Sequence, residues 1–208
     1  MKEPGCENLG FHSPAVSRLV SRRKTGIDRG TLPFLIRMWR KKTIMKKNVI
    51  DELAIKMLVE GEQWDQELSA IIESMDNLDL RDRDGRTLLM NCCAYHFPIS
   101  FRSLIQQGAN INLQDKKGFS ALHVAALRGE YQFAEILLKH GARTDLQDIF
   151  GNNPLFRVKH DQTALIQLLL DYGCDPYHKN RAGNSAYDML SLYSESKGLF
   201  PENAIEKT

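Results

Sequence analysis

The strongest constraint on this chain is a period. Glycines recur at Gly85, Gly118 and Gly151, 33 residues apart at each step. A second set follows at Gly108, Gly141 and, after 32 residues, Gly173. Three stretches align on this spacing: "DGRTLLMNCCAYHFPISFRSLIQQGANINLQD" from Asp84, "KGFSALHVAALRGEYQFAEILLKHGARTDLQD" from Lys117, and "FGNNPLFRVKHDQTALIQLLLDYGCDPYHKN" from Phe150. A shorter copy, "AGNSAYDML", starts at Ala182. Each unit reads as turn, short helix, second helix and loop. Its first glycine suits the positive φ of a tight turn, and the glycine after "LIQQ", "LLKH" or "LLDY" suits a helix C-cap. Phe133, Ile136, Leu137 and Leu138 give the second helix of the middle unit an apolar face, while Ala125 and Ala126 let the first helix lie close to its neighbours. One unit cannot bury such faces alone, so the units must stack.

The middle unit carries "SALHVAALRG" followed by "AEILLKHGA". With the 33-residue period, this resembles the ankyrin-repeat family over roughly residues 48–193. The resemblance implies an all-α solenoid of helix–turn–helix units joined by β-turn loops. It divides the chain into a basic N-terminal extension at 1–47, an ankyrin-repeat domain at 48–193 and a polar, frayed tail at 194–208. Within the domain it implies a degenerate N-cap repeat at 48–81, repeats at 82–114, 115–147 and 148–179, and a C-cap at 180–193. In the N-cap repeat, Ile50, Leu53, Ala54, Met57 and Leu58 share one helical face with Val49, and Trp64, Leu68, Ile71, Ile72 and Met75 share another. The third repeat departs from the pattern. "FRVKHDQTALI" is one residue short where the first helix meets the second, and the family glycine is missing, which predicts an altered junction.

His123 is the one residue of the motif with catalytic chemistry available to it. No nucleophile or second base stands at a telling spacing from it. The family resemblance makes it structural, hydrogen-bonded near the turn and the neighbouring repeat, with Ser120 as the nearest candidate. The parallel positions are Met90 and Phe156, with Asp188 in the C-terminal copy. His96, His140, His160 and His178 have no metal-ligand spacing, and no metal, cofactor or catalytic residue is assigned. No phosphate loop or nucleophile elbow is present.

Charge is divided unevenly. Residues 1–47 hold 12 Lys and Arg against 3 Asp and Glu, which leaves 16 against 23 for the rest. The basic stretch permits three readings: an arm that binds nucleic acid or an anionic membrane, a disordered arm that folds on a partner, or a segment that is not translated, with the start at Met45. No apolar run approaches the roughly 20 residues of a membrane span. Cys92 and Cys93 are adjacent, and Cys6 and Cys174 form no disulfide or zinc pattern with them. These features point to the cytoplasm.

The family resemblance places partner-binding positions at the turn tips and on the exposed side of the first helices. Here they fall on Arg83, Arg86, Tyr95, Lys116, Lys117, Phe119, Leu127, Arg128, Ile149, Phe150, Asn152 and Arg181. Tyr95, Phe119, Leu127, Ile149 and Phe150 are expected to face solvent as an apolar cluster rimmed by cations that suit an acidic partner. The implied function is a non-enzymatic, monomeric protein-binding scaffold that regulates or inhibits a partner protein, an enzyme or toxin. Small free-standing members of the family resemble immunity or accessory proteins encoded beside secreted phospholipases or toxins. The alternative is a nucleic-acid-associated regulator that uses the basic arm.

Overall fold

The structure, a computed structural model, describes residues 49–193, 196 and 198–200. The expectations for the basic extension, for a start at Met45 and for residues 201–208 lie outside the described residues. Eight α-helices are described: α1 (Val49–Glu60), α2 (Asp65–Ile72), α3 (Leu88–Tyr95), α4 (Pro98–Gln106), α5 (Ala121–Arg128), α6 (Tyr131–Lys139), α7 (Thr163–Asp171) and α8 (Ala186–Leu190). Two 3-10 helices join them, at Gly61–Trp64 and at Pro154–Arg157. Among the described residues there is no strand, only isolated bridges between Arg81 and Thr87 and between Lys179 and Ser185, at the bases of two hairpins. The expected all-α repeat solenoid is present.

The helices form two layers. In the first, α1, α3, α5, the Pro154–Arg157 turn and α8 follow one another in contact; in the second, α2 packs on α4 and α6 on α7. Hydrogen-bonding side chains start each first-layer element. Thr87 accepts from the Met90 amide, Ser120 from His123, Asn153 from Leu155 and Ser185 from Asp188. Each satisfies one of the amides that a helix start leaves unpaired. In α8 the exchange is mutual, and the Ser185 N–H holds the Asp188 carboxyl below the usual carboxylate range. Helix α4 is capped from the preceding unit instead. The buried Asp65 carboxylate accepts the Ile99 and Ser100 amides at 2.7 and 2.8 Å, and its carbonyl accepts the Ser100 hydroxyl.

Leu68, Ile72, Leu88, Leu89, Phe97, Phe101, Leu104, Leu122, Ala125, Ala126, Leu137, Leu155, Ile166 and Leu169 build one continuous core between the layers. Phe101 and Phe133 stack across it with ring centroids 4.5 Å apart. Burying aliphatic and aromatic side chains of this size contributes roughly 1.5–3 kcal/mol each before conformational entropy is set against it.

Three features differ from expectation or sharpen it. Leu58, placed on the inner face of α1 by periodicity, is exposed. The third repeat has only one 3-10 turn where the second has the eight-residue α5. Pro154 at its start contributes no N–H, and Val158 leaves the turn in extended conformation. Described residues after α8 also pack on the repeats, where the composition of the segment gives no sign of it. Ser196 is buried and donates its hydroxyl to the Leu190 carbonyl. Phe200 is 6% exposed and meets Tyr187 edge to face.

Candidate functional site

Four hairpin tips stand side by side along one edge of the stack, built by the same local device. An Asx side chain opens each turn and accepts two backbone amides ahead of it. Asp82 accepts from Asp84 and Arg86, Asp115 from Lys117 and Phe119, Asp148 from Phe150 and Asn152, and Asn180 from Ala182 and Asn184, all at 2.8–3.1 Å. These turns expose two or three side chains each and fix their backbone. Amides then link tip to tip. Lys116 donates to the Asp84 carbonyl, Ile149 to Lys117 and Arg181 to Phe150, at 2.9–3.0 Å.

This geometry sorts charge by direction. The acids of the second and third tips, Asp115 and Asp148, are turned inward onto their own turns. Asp148 also pairs with Arg157. Lys116, Lys117, Lys179 and Arg181 project outward and are exposed. Ile149, 44% exposed, and Phe150, 60% exposed, stand between them. The first tip is different: Arg83 is engaged by Asp51 of α1 through its amide at 3.1 Å and its guanidinium at 2.9 Å.

Of the expected partner-facing residues, Arg83, Lys116, Lys117, Arg128, Ile149, Phe150 and Arg181 are exposed. Lys116, Lys117, Ile149, Phe150 and Arg181 are brought together on consecutive tips. The others require correction. Arg86 is only 8% exposed, because its side chain runs under the tips toward Asp115 of the next repeat, 3.7 Å away. Phe119 is half-buried rather than solvent-facing. Its ring meets His123 edge to face at 5.6 Å and lies beneath the Arg157 guanidinium at 4.7 Å. Tyr95 and Leu127 are also half-buried, and burial pushes the Tyr95 hydroxyl pKa up. Asn152 ties repeats together. It donates to the Asp148 carboxylate, and its side-chain oxygen accepts from Asn180.

His123 is fully buried, and its bonds define its state. The Ser120 amide donates to Nδ1 at 3.2 Å, so Nδ1 is the acceptor. Nε2 then carries the proton and donates to the Asn152 carbonyl at 3.2 Å, in the next repeat. Burial, more than any charge, lowers its pKa to about 4. The expected structural role, with Ser120 as partner, is what the geometry shows.

Arg157 lies outside the expected partner-facing set, although the sequence carries one signal of it. It stands 33 residues after Val124, a buried position of α5, so a cation occupies a core site. Loss of the helix there lets Arg157 turn toward Asp148 and cover Phe119, a pairing in which a flat guanidinium suits both carboxylate and ring. Among the described residues, no group of three or more His, Cys, Asp or Glu is placed to hold a metal ion, and no helix is long and apolar enough to cross a membrane. Cys92, Cys93 and Cys174 are buried free thiols whose pKa values burial raises.

A family model described as ankyrin repeats in three copies matches residues 51–148 and 100–180. Curated relatives include the putative ankyrin repeat protein L92 of Acanthamoeba polyphaga mimivirus, 31% identical over 97 residues, which are 46% of this chain and 24% of that protein. The mouse ankyrin repeat and SOCS box protein 6 is 34% identical over 100 residues, 46% of this chain and 23% of that protein. Human SH3 and multiple ankyrin repeat domains protein 2 is 27% identical over 131 residues, 60% of this chain and 7% of that protein. The chain thus spans a quarter or less of the length of each of these relatives.

Proposed function

The chain belongs to the ankyrin-repeat family, whose repeats mediate contacts between proteins, and from that premise we propose that it is a non-enzymatic scaffold that binds a partner protein and regulates it. The observation that supports this reading most directly is the outward sorting of the tips. The carboxylates of the second and third tips hold their turns, while cations and two large apolar side chains are left to solvent. Rigid tips lose little conformational freedom when they dock, which favours binding. His123, the residue with the most chemistry to offer, is spent on joining two repeats. The regulated partner is proposed to be an enzyme or toxin. An immunity or accessory role toward a secreted phospholipase or toxin is the narrowest form of the proposal; it rests on analogy within the family alone.

The test is capture of partners by the tagged chain from cells that make it, with nuclease treatment, followed by mass spectrometry and an activity assay of the captured protein. A stoichiometric protein partner whose activity changes when the chain is added is the expected result. Recovery of nothing but nucleic-acid-dependent material would replace the proposal with the nucleic-acid reading of the basic N-terminal segment.

A further inference from the structure

We propose that the outer ridge of the second, third and fourth hairpin tips is a docking site for an acidic segment of a partner protein, anchored by a bulky apolar residue between its acids. This rests on the scaffold reading above and specifies the chemistry of its partner. The anchor position is the Ile149–Phe150 pair. Both side chains are exposed, and the Phe150 backbone is held on both sides: its amide by Asp148 and its carbonyl by the Arg181 amide. A backbone fixed in this way presents the ring's apolar area without a cost for ordering the turn, the property of an interface anchor.

The charge around the anchor selects the occupant. Lys116 and Lys117 flank it on one side, and Lys179 and Arg181 on the other. Among the described residues none of these four cations pairs with a carboxylate within 4 Å. The acids on the same tips face inward, so cations dominate the outside of the ridge, although exposed Asp84 of the first tip and Asp188 of α8, whose carboxylate feels Lys179, lie at its two ends. A basic partner is repelled, and a neutral apolar one leaves the cations unused. The apolar centre argues against nucleic acid, whose backbone would be drawn to continuous positive charge. A row of tips also suits an extended segment, since side chains of a strand alternate between facing the ridge and facing away.

The experiment uses the full chain and fluorescein-labelled synthetic peptides read by anisotropy. The first peptide has Leu-Phe flanked on both sides by glutamates. The second replaces Leu-Phe by Ser-Ser, the third replaces the glutamates by lysines, and a single-stranded oligonucleotide is the fourth probe. The first peptide is expected to bind saturably, more weakly as salt rises, and at least about tenfold more tightly than the second or third. The variant Ile149→Ser with Phe150→Ser should weaken the first peptide about tenfold or more with an unchanged melting midpoint, because both side chains are exposed. Lys116→Glu with Lys117→Glu should also weaken it, while Arg102→Glu on α4 serves as a control that changes nothing.

Equal affinity for the first and second peptides, an unaffected Ile149/Phe150 variant, or tighter binding of the oligonucleotide would each overturn the proposal. A captured protein partner that binds the Ile149/Phe150 and Lys116/Lys117 variants as tightly as the unchanged chain would overturn the ridge and leave the scaffold reading standing. Failure to capture any protein would instead remove the scaffold reading.

Discussion

At His123 a single added proton would set the ring against the start of its own helix, while the bond to Asn152 in the next repeat is made by the other nitrogen. Nδ1 faces the Ser120 N–H, so protonating it would set two donors against each other in a site closed to water. The folded ring therefore binds its proton only near pH 4, against 6.5 for the ordinary value. Because the folded pKa is the lower one, the unfolded chain takes up a proton that the folded chain does not between those values. Stability from this residue is complete above about pH 6.5, falls as pH drops toward about 4 and is level below it. The full difference is about 3 kcal/mol. Urea unfolding at pH 7.5 and pH 5 should show about 2 kcal/mol of this loss in the unchanged chain, since pH 5 lies between the two values, and His123→Gln should remove most of the pH dependence in that window. An identical slope in the variant would mean that the ring is not held neutral. This role was legible in the sequence because it depends on Ser120, three residues away. The burial of Phe119 was not legible, because it depends on Arg157, whose reach follows from a helix that fails to form.

Among the elements, the hairpin tip shows most clearly what the repeat demands of its residues. Gly118 and Gly183 hold the same place in their turns, with φ of +77° and +82°. A Cβ at Gly118 would lie 2.7 Å from the Cα of Asp148, while one at Gly183 would meet nothing within 4 Å. Alanine pays for the left-handed backbone at both, roughly 1–2 kcal/mol. Only at Gly118 must it also push apart two tips whose backbones are bonded to each other. Gly118→Ala should therefore destabilise by at least about 1 kcal/mol more than Gly183→Ala, as read from chemical denaturation. Equal losses would show that stacking of the tips contributes nothing to the glycine requirement. The glycine period was readable because a positive φ leaves its mark on a single position. The length of the third repeat's first element was readable only as a disturbance: a missing residue predicts a changed junction but not that one 3-10 turn replaces the helix. The packing of Phe200 on Tyr187 left no mark, since an adjacent apolar pair, Leu199 and Phe200, in a polar segment has no periodicity.

In the whole molecule, stability is not evenly spread. A stack of repeats holds together through its own units and the interfaces between neighbours, so a weak unit divides it. On the N-terminal side, α5 is packed by α3, α6 and the next turn, while Asp65 caps α4 from the preceding unit and Arg83 is tied to Asp51. On the C-terminal side, the repeat of α7 has one 3-10 turn in place of a first helix, and the last first-layer helix, α8, has five residues. Beyond the apolar packing of the Pro154–Arg157 turn on α5 and of α7 on α6, what bridges the two sides is polar: Asp148 with Arg157, and Asn152 with His123 and Asn180. Such contacts contribute less than the apolar area of a missing helix would, because each replaces bonds to water. The segment from Pro154 onward should therefore open as a unit while residues before it stay folded. Native-state hydrogen exchange should show the amides of α7 at Leu168–Leu170 exchanging at least about tenfold faster than those of α5 at Val124–Ala126, with α8 exchanging together with α7. Equal protection in α5 and α7 would mean that Arg157 and its partners replace the lost helix in full and that the stack unfolds as one body.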